Sequence, residues 1–322
     1  MNKDSKIYVA GHKGLAGSAI LDCLKKSGFN NILLQNHKEL ELTNQIATSE
    51  FFKSEKPEYV FLAAAKVGGI QANSLYPADF VYQNISIQTN IIHQSYLNNV
   101  KRLLFLGSSC IYPRDCRQPI KEEYLLTGPL ESTNSAYAVA KIAGIEMCSS
   151  YNRQYNTKYL AVMPTNLYGP GDNYDLQSGH VIAALIRKFY EAKKSNSQSV
   201  TVWGSGKPKR EFLYSTDLAK ACVFLMNLID EKFNPLLKDT SSTNSYPIVN
   251  IGAGEDISIK DLSLLIAKIS GFTGSIIFDE TKLDGTPRKL LNVDILNQLG
   301  WSPNISISDG ISKALNEFSL TI

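Results

Sequence analysis

The chain has 322 residues, of which 43% are hydrophobic and 20% charged, a composition that excludes wholesale disorder, a collagen-like repeat and a disulfide-dense miniprotein. Its length indicates about two domains. The 33 basic and 30 acidic residues give a net charge of +3 and are scattered along the chain, so we expect no nucleic-acid partner.

The first half of the chain alternates short apolar strands with segments of helix length. Strands are predicted over Lys6–Ala10, Ile32–Leu34, Tyr59–Ala65, Arg102–Gly107 and Tyr159–Met163. Helices are predicted from Leu15 onward and over Thr48–Ser54, Asn84–Asn98 and Ser135–Tyr151. Because continuous apolar strands are typical of parallel sheets covered on both faces, this order predicts a doubly wound α/β fold.

A second, smaller α/β unit is predicted after Pro164, where the chain becomes rich in glycine and proline. Its predicted helices are His180–Ala192, Asp261–Ile269 and two C-terminal segments. Its predicted strands are Ser199–Trp203 and Ser275–Phe278, and Lys193–Ser199 is predicted as a polar surface loop. Helix Thr216–Ile229 and strand Ile248–Ile251 are expected to return to the first sheet. We therefore predict one domain of residues 1–165 plus about 215–252, and a discontinuous second one of about 166–214 plus 253–322.

The cysteines and the first residues indicate where the protein resides. The chain has five cysteines: Cys23, Cys110, Cys116, Cys148 and Cys222. Their number is odd and they form no C-x-x-C pair, which favours reduced thiols and gives no sign of a metal site. Residues 1–6 are polar, and no apolar run approaches the ~20 residues that a membrane span needs. We expect a cytoplasmic protein with no membrane partner.

A glycine-rich loop joins the first strand to the first helix. It consists of Gly11, His12, Lys13, Gly14, Leu15, Ala16 and Gly17. Glycines permit a tight turn and a close backbone approach, and the N–H groups at the start of the helix then face a pyrophosphate, so this position predicts a dinucleotide site. The alternative is a plain turn with a packing glycine.

The segment after the second strand indicates which dinucleotide is bound. Residues 35–38 contain His37 and Lys38, and no carboxylate occurs before Glu39. An acidic residue here would favour a free ribose 2′-hydroxyl, whereas cations favour a 2′-phosphate. With Lys13 as a further cation, the sequence favours NADP over NAD, although these charges could also be ordinary surface residues.

Tyr137 and Lys141 lie four residues apart on a predicted helix and so share a face. A nearby ammonium is expected to lower the pKa of the tyrosine and make it a better proton donor near neutral pH. The spacing alone is weak, since Tyr190 and Lys194 repeat it in a charged segment outside the sheet. The position after the fourth strand favours the first pair, because doubly wound sheets bind ligands at the carboxyl edge.

The fourth strand ends in Gly107-Ser108-Ser109-Cys110. If this segment stays extended, the hydroxyl of Ser108 and the thiol of Cys110 point to the same side and enter one cleft. The simpler interpretation of Cys110 is a small buried hydrophobic residue.

These residues together resemble the extended short-chain dehydrogenase/reductase superfamily. Four further segments resemble the GDP-L-fucose synthase family within it: Ala63–Ile70, Gly107–Pro113, Met163–Pro170 and Asp284–Lys289. The resemblance spans nearly the whole chain. It implies a Rossmann domain, a domain that binds a nucleotide sugar, the cofactor NADP(H), a GDP-sugar substrate and a homodimer.

The resemblance also implies roles for individual residues. Tyr137 would be the general acid at the oxygen on carbon 4 of the sugar, Ser108 a donor to the same oxygen, and Lys141 a ligand of the nicotinamide ribose. Cys110 would be the base and His180 the acid of an epimerisation at carbons 3 and 5. Further cofactor contacts are implied for Gly11–Gly17, His37, Leu106, Gly107, Ser108, Ser109, Lys141, Pro164, Thr165, Asn166, Leu167 and His180.

Four residues are similarly implied to contact the GDP-sugar: Lys188, Trp203, Arg210 and Asp284. Cations suit a diphosphate, and an indole offers a flat apolar surface to a base or a ribose. Lys188 and His37 stand where arginine is common in this family. A lysine or histidine lacks the planar fork of arginine, so binding at these two positions is expected to be weaker.

The sequence thus predicts an NADPH-dependent epimerase-reductase that makes GDP-L-fucose. One alternative is a 4-keto reductase without epimerase activity, acting on a related GDP-4-keto sugar such as a 6-deoxyheptose. A 4-epimerase or 4,6-dehydratase that recycles NAD is disfavoured by Cys110 and by the missing acidic residue after the second strand. A non-catalytic dinucleotide sensor would have no reason to keep Tyr137, Lys141 and Ser108 together.

Overall fold

A computed structural model describes residues 1–176, 179–237, 246–282 and 284–321 of the chain. The strands are β1 (Ile7–Ala10), β2 (Ile32–Leu33), β3 (Tyr59–Leu62), β4 (Arg102–Leu106), β5 (Tyr159–Pro164), β6 (Asn166–Tyr168), β7 (Ser199–Trp203), β8 (Lys209–Arg210), β9 (Phe212–Tyr214), β10 (Ile248–Ile251), β11 (Ile257–Ser258), β12 (Ser275–Asp279) and β13 (Arg288–Lys289). The α-helices are α1 (Leu15–Lys26), α2 (Gln45–Glu55), α3 (Ile70–Leu75), α4 (Pro77–Leu97), α5 (Ser135–Tyr155), α6 (Val181–Lys194), α7 (Ser215–Asn227), α8 (Asp230–Phe233), α9 (Ile259–Ser270), α10 (Asp294–Leu299) and α11 (Ile307–Thr321).

The central sheet has six parallel strands in the order β10-β5-β4-β3-β1-β2. One face packs against α1 and α7, with Ile20 and Leu218 in a shared apolar core. The other face packs against α2, α4 and α5, with Phe52, Ile91 and Ile145 in a second core. Both faces are therefore covered, which confirms the predicted doubly wound α/β fold.

Helices α6, α9 and α11 enclose a third apolar core. It includes Ile186 on α6, Leu262 on α9 and Phe318 on α11, together with Val200 on β7. β7 pairs with β12, and β8 pairs with β11 and β13, so this smaller part of the chain is built from segments on both sides of β10. β10 and α7 return to the large sheet, as the sequence predicts.

Several boundaries differ from the predicted ones for local reasons. Helix α4 begins at Pro77, which suits a first helical turn because proline needs no N–H partner there, and it extends well before the predicted start at Asn84. Helix α6 runs to Lys194, so the predicted polar loop is shortened to residues 195–198. The stretch 166–168, at the start of the glycine- and proline-rich region, forms β6 and pairs with β9. No helix in the described part of the chain is long and apolar enough to cross a bilayer.

Candidate active site

The predicted glycine loop lies between β1 and α1, in the crevice beside β3. Gly11 has φ +85°, and a Cβ at this position would lie 2.6 Å from the backbone nitrogen of Ala64. A Cβ at Gly17 would overlap the carbonyl oxygen of Gly11. Only glycine fits at these two positions, because the conflicting atoms belong to the backbone and cannot rotate away.

The start of α1 has the features of an anion site. A Cβ at Gly14, which precedes the helix, would meet no atom closer than 3.6 Å, so a ligand can approach this backbone. No side chain caps this end of α1, and its first turn contains no acidic residue. The Nδ1 atom of His12 is buried and has no hydrogen-bond partner among the described residues, while burial and then Lys13 lower the pKa of His12. These residues fit the pyrophosphate of a dinucleotide.

The segment after β2 is less cationic than its sequence indicates. The ring of His37 is 85% exposed, and its Nδ1 atom lies 2.9 Å from a carboxylate oxygen of Glu41. Glu39 accepts the backbone N–H of Asn36 at 2.8 Å. His37 is therefore free to swing toward a bound phosphate, but it must leave Glu41 to do so.

Tyr137, Ser108 and Lys141 come together at the carboxyl end of β4. Tyr137 lies on the first turn of α5, and its phenol forms a hydrogen bond with Ser108. Lys141 is 3% exposed, its Nζ atom donates to the carbonyl oxygen of Leu106 at 2.7 Å, and it lies 5.7 Å from the centre of the Tyr137 ring. The structure thus brings the three predicted side chains into one cluster.

The pKa values in this cluster differ from the sequence-based expectation. Burial raises the pKa of Tyr137, and the hydrogen bond from Ser108 acts in the opposite direction. Burial also lowers the pKa of Lys141 from 10.5 to about 7. The prediction that Lys141 lowers the pKa of Tyr137 is therefore wrong for the free protein, because burial is the largest influence on the phenol and Lys141 itself is desolvated.

Cys110 adjoins the same cluster, but the backbone there is not extended. Residues Ser109–Ile111 form a single 3-10 turn, and the hydroxyl of Ser108 accepts the backbone N–H of Cys110 at 3.3 Å. The expectation of strand-like alternation is wrong, yet the turn keeps Cys110 beside Tyr137. The Sγ atom accepts a hydrogen bond from Asn134 at 3.3 Å and lies 3.8 Å from Nζ of Lys289. A thiol with two such donors is better placed for chemistry than for packing.

The other predicted cofactor residues line the carboxyl edge of the sheet. Leu106, Gly107 and Ser109 lie at the end of β4, and a Cβ at Gly107 would overlap the side chain of Met163. Pro164 ends β5, while Asn166 and Leu167 lie on β6. The side chains of Thr165 and Asn166 both donate to the carbonyl oxygen of Glu211, at 3.0 and 2.9 Å. Their own side-chain donors are thus engaged within the protein.

His180 lies at the N-terminus of α6, on a different element from the Tyr137 cluster. Its ring is 47% exposed, and its Nδ1 atom is 3.7 Å from Oδ1 of Asp172. No contact between His180 and Cys110 is present among the described residues, so the two predicted epimerisation residues approach the site from separate elements.

The four predicted substrate residues form one surface. Lys188 lies 5.1 Å from the centre of the Trp203 ring and donates to the carbonyl oxygen of Thr201 at 3.0 Å. Burial lowers the pKa of Lys188. Asp284 accepts both the backbone N–H and the hydroxyl of Ser205, at 3.0 and 2.6 Å, immediately after Trp203 and Gly204. Trp203 is 55% exposed, so its ring face is available to a ligand.

Arg210 joins this surface through the segment that follows Asp284. Its Nη1 atom donates to the carbonyl oxygen of Thr286 at 2.5 Å, and a Cβ at Gly285 would lie 2.9 Å from Nη2. Arg210 and Asp284 therefore both hold the 284–286 segment in place, Arg210 as a half-buried residue and Asp284 as an exposed one.

Sequence reasoning missed four side chains that contact the predicted ones: Asn134, Asp172, Lys282 and Lys289. The Nζ atom of Lys282 lies 5.8 Å from the centre of the Trp203 ring, and the sequence predicts no role for this lysine. Lys289 ends a segment used for the family resemblance, yet 179 residues separate it from Cys110. Asp172 follows a glycine-proline-glycine turn, where a polar residue attracts no notice.

Comparisons with known proteins identify the family of the chain. Residues 7–251 match the NAD dependent epimerase/dehydratase family. The chain is 52% identical to the putative GDP-L-fucose synthase 2 of Arabidopsis thaliana, over 97% of this chain and 91% of that protein, and 50% identical to the GDP-L-fucose synthase of Escherichia coli strain K12, over 97% and 96%. It is similar to the structure of a GDP-mannoheptose C4 reductase from Campylobacter jejuni with NADP bound, with a TM-score of 0.89 and 43% identity over 99% of each chain. The chain belongs to the NAD dependent epimerase/dehydratase family, and within it to the group that contains the GDP-L-fucose synthases.

Proposed function

We propose that this protein is an NADPH-dependent epimerase-reductase that converts GDP-4-keto-6-deoxymannose to GDP-L-fucose. The observation that carries the proposal is the position of Cys110, a thiol with two hydrogen-bond donors, beside the Tyr137 and Ser108 hydroxyls that would hold a ketone. The relatives at 50–52% identity bear the name of this activity.

In the reduction, bound NADPH supplies a hydride to carbon 4 of the sugar. Tyr137 donates its proton to the carbon 4 oxygen, and the hydroxyl of Ser108 donates a hydrogen bond to the same atom. Such preorganised donors stabilise the charge that grows on a ketone oxygen. The raised pKa of Tyr137 keeps the phenol protonated, as a donor must be. Lys141 would hold the nicotinamide ribose.

In the epimerisation, the same two hydroxyls stabilise an enolate. Cys110 removes the proton from the carbon next to the ketone, and His180 returns one from the opposite face. Lys289 helps to hold Cys110 in position, since its Nζ atom lies 3.8 Å from Sγ and can donate a hydrogen bond to it. One pocket thereby serves both reactions.

The binding residues follow from the two surfaces described above. Gly11–Gly17 would hold the pyrophosphate, His37 with Lys13 the 2′-phosphate, and the carboxyl edge of β4 and β5 the nicotinamide half. Lys188, Trp203, Arg210 and Asp284 would hold the GDP. We assign residues 1–165 plus about 215–252 to the cofactor domain and about 166–214 plus 253–322 to the sugar domain. The third apolar core supports this division, because all its buried residues lie in the segments assigned to the sugar domain. Leu291, Leu296 and Trp301 of the second segment pack instead into the two cores of the large sheet.

We also propose a homodimer and a cytoplasmic location. The dimer is supported by apolar side chains that α4 and α5 leave exposed, with Tyr82 at 66%, Ile85 at 36% and Val139 at 48%. A cytoplasmic location is supported by all five cysteines being free thiols. Light scattering of the wild type and of Ile85→Glu tests the dimer: a monomeric wild type refutes it, and a monomeric variant supports this face as the interface.

The activity is tested by incubating the purified protein with GDP-4-keto-6-deoxymannose and NADPH. We expect NADPH to be consumed in equal amount to the sugar and the product to be GDP-L-fucose by NMR. A product with unchanged configuration at carbons 3 and 5 would remove the epimerase half of the proposal. No consumption of NADPH would remove the reductase half.

A second candidate is a 4-keto reductase that acts on a GDP-heptose. It is favoured by the 43% identity to the C. jejuni GDP-mannoheptose C4 reductase. The identities to the fucose synthases are higher, so we rank this candidate second. Competition between the hexose and heptose 4-keto substrates in one incubation discriminates the two, because the natural substrate has the larger kcat/KM.

A further inference from the structure

The turn between β6 and α6 holds a buried carboxylate that the proposed reaction does not use. Asp172 follows Gly169 and Gly171, which have φ values of +145° and +75°. Its side chain is only 4% exposed. The turn is anchored to α11, where Glu317 accepts the backbone N–H of Gly171 at 3.0 Å. A carboxylate is rarely buried unless a donor or a cation is provided for it.

The two oxygens of Asp172 have different surroundings. Oδ1 accepts the backbone N–H of Asn173 at 2.8 Å and lies 3.7 Å from Nδ1 of His180. Oδ2 is buried and has no hydrogen-bond partner in the part of the chain that the structure describes. Among the described residues, the ring of His180 lies within 4.0 Å of this carboxylate and offers it a donor. A small rotation of either side chain would replace the 3.7 Å separation by a hydrogen bond.

Backbone contacts hold Asp172 and His180 close to each other. Gly179, immediately before His180, donates its N–H to the carbonyl oxygen of Asp175 at 2.9 Å. A Cβ at Gly179 would overlap the carbonyl oxygen of Asn173, so the chain before His180 lies directly on the turn that carries Asp172. The ring and the carboxylate are therefore held together by local structure, not by chance contact of two mobile side chains.

We propose that Asp172 is a positioning residue for His180: the carboxylate holds the Nδ1–H of the ring and thereby presents Nε2 to the sugar as the proton donor. This inference rests on the proposed epimerase function. The side chain of His180 is 47% exposed, as a group that meets a substrate must be. A carboxylate in this position both selects the ring orientation and stabilises the imidazolium.

In the proton transfer, the Nε2–H bond of the imidazolium breaks, and its electron pair stays on Nε2. The C=C electron pair of the enolate forms the new C–H bond, and the ketone at carbon 4 is restored. The ring is left neutral with its proton on Nδ1, facing Asp172, so the carboxylate stabilises the product of the transfer as well as its reactant. Without the carboxylate, the neutral ring would favour the proton on Nε2.

The tautomer of His180 provides a direct test in the free protein. The chain contains four histidines, so ¹⁵N-histidine labelling gives few signals, and the His180→Gln variant identifies the one that belongs to His180. We expect the neutral ring to carry its proton on Nδ1 in the wild type. In Asp172→Asn, which preserves the size of the side chain and the acceptor for Asn173, we expect the population to move toward Nε2–H. Asp172→Ala should complete that change.

Glu317→Gln is the matched control, because it neutralises the carboxylate that anchors the same turn without touching His180. We expect it to retain the wild-type tautomer. The proposal is overturned if the wild-type ring carries its proton on Nε2, if Asp172→Asn and Asp172→Ala both keep the wild-type pattern, or if Glu317→Gln changes the tautomer as they do.

Isotope exchange then links the tautomer to the reaction. With the 4-keto sugar and NADP⁺ in heavy water, we expect Asp172→Asn to slow formation of the epimerised, deuterium-labelled sugar by roughly ten- to hundredfold with KM unchanged, part of the ~10²–10⁴-fold that a general acid contributes. Epimerisation at the wild-type rate would refute the role of Asp172. If the wild type itself does not exchange, the epimerase function fails, whereas the tautomer result still reports on the Asp172–His180 pair.

Discussion

Lys141 offers the most quantitative test of the cluster at the end of β4. Its amine is almost fully buried and has one strong acceptor, the carbonyl oxygen of Leu106 at 2.7 Å. Burial lowers its pKa from 10.5 to about 7. At ~1.4 kcal/mol per pH unit, this interval corresponds to about 5 kcal/mol of unfolding free energy that is missing when the amine is protonated.

The direction of the pH dependence of stability follows from the number of protons that the folded and unfolded states bind. Between pH 7 and 10.5 the unfolded chain keeps the proton of Lys141 and the folded protein has lost it, so raising the pH favours the folded state. In Lys141→Met this dependence is absent. We therefore expect the stability of the wild type, relative to Lys141→Met, to rise by ~3 kcal/mol from pH 7.5 to 9.5 and to be constant below pH 6.

Urea unfolding of both proteins at a series of pH values measures this difference, and titrations of all other groups cancel in it. Equal m-values for the two proteins are the control for similar unfolding. A difference that stays flat from pH 7.5 to 9.5 would refute the reasoning, because it would mean that Lys141 remains charged in the folded protein.

Three further variants test individual roles. Tyr137→Phe should lower the rate of reduction by roughly two to four orders of magnitude. Tyr190→Phe, at the other tyrosine four residues before a lysine, should leave the rate unchanged. NADPH absorbance measures both rates, and an active Tyr137→Phe would contradict the account. Cys110→Ser should abolish deuterium uptake by the 4-keto sugar while its thermal melting stays that of the wild type, and persistent uptake would assign the base elsewhere. Trp203→Ala should raise KM for the GDP-sugar about three- to tenfold with little change in kcat, and an unchanged KM would remove the indole from the binding surface.

The sheet and the cofactor loop could be predicted from the sequence because they depend on local patterns. Apolar runs such as Tyr159–Met163 identify buried parallel strands, and the spacing of Gly11 and Gly17 reflects backbone contacts that no other residue permits. The four-residue spacing of Tyr137 and Lys141 gave a correct shared face, since both lie on α5. These features need no knowledge of distant parts of the chain.

The electrostatics of the site could not be predicted in this way. The pKa of Tyr137 depends on how deeply the phenol is buried, and burial is a property of the assembled fold. Lys289 reaches Cys110 from 179 residues away, and Asp172 reaches His180 only because a turn with two glycines folds back on the start of α6. Sequence spacing carries no signal for such contacts.

The hydroxyl groups of Ser108, just after β4, and of Tyr137, on α5, are central to this account, because we propose that they hold one carbonyl oxygen through two different reactions. A single NMR spectrum of the sugar formed in heavy water from the 4-keto hexose and unlabelled NADPH tests it most directly. We predict deuterium at carbons 3 and 5, ordinary hydrogen at carbon 4, and the L-fucose configuration. Ordinary hydrogen at all three carbons, with the configuration of the starting sugar retained at 3 and 5, would contradict it.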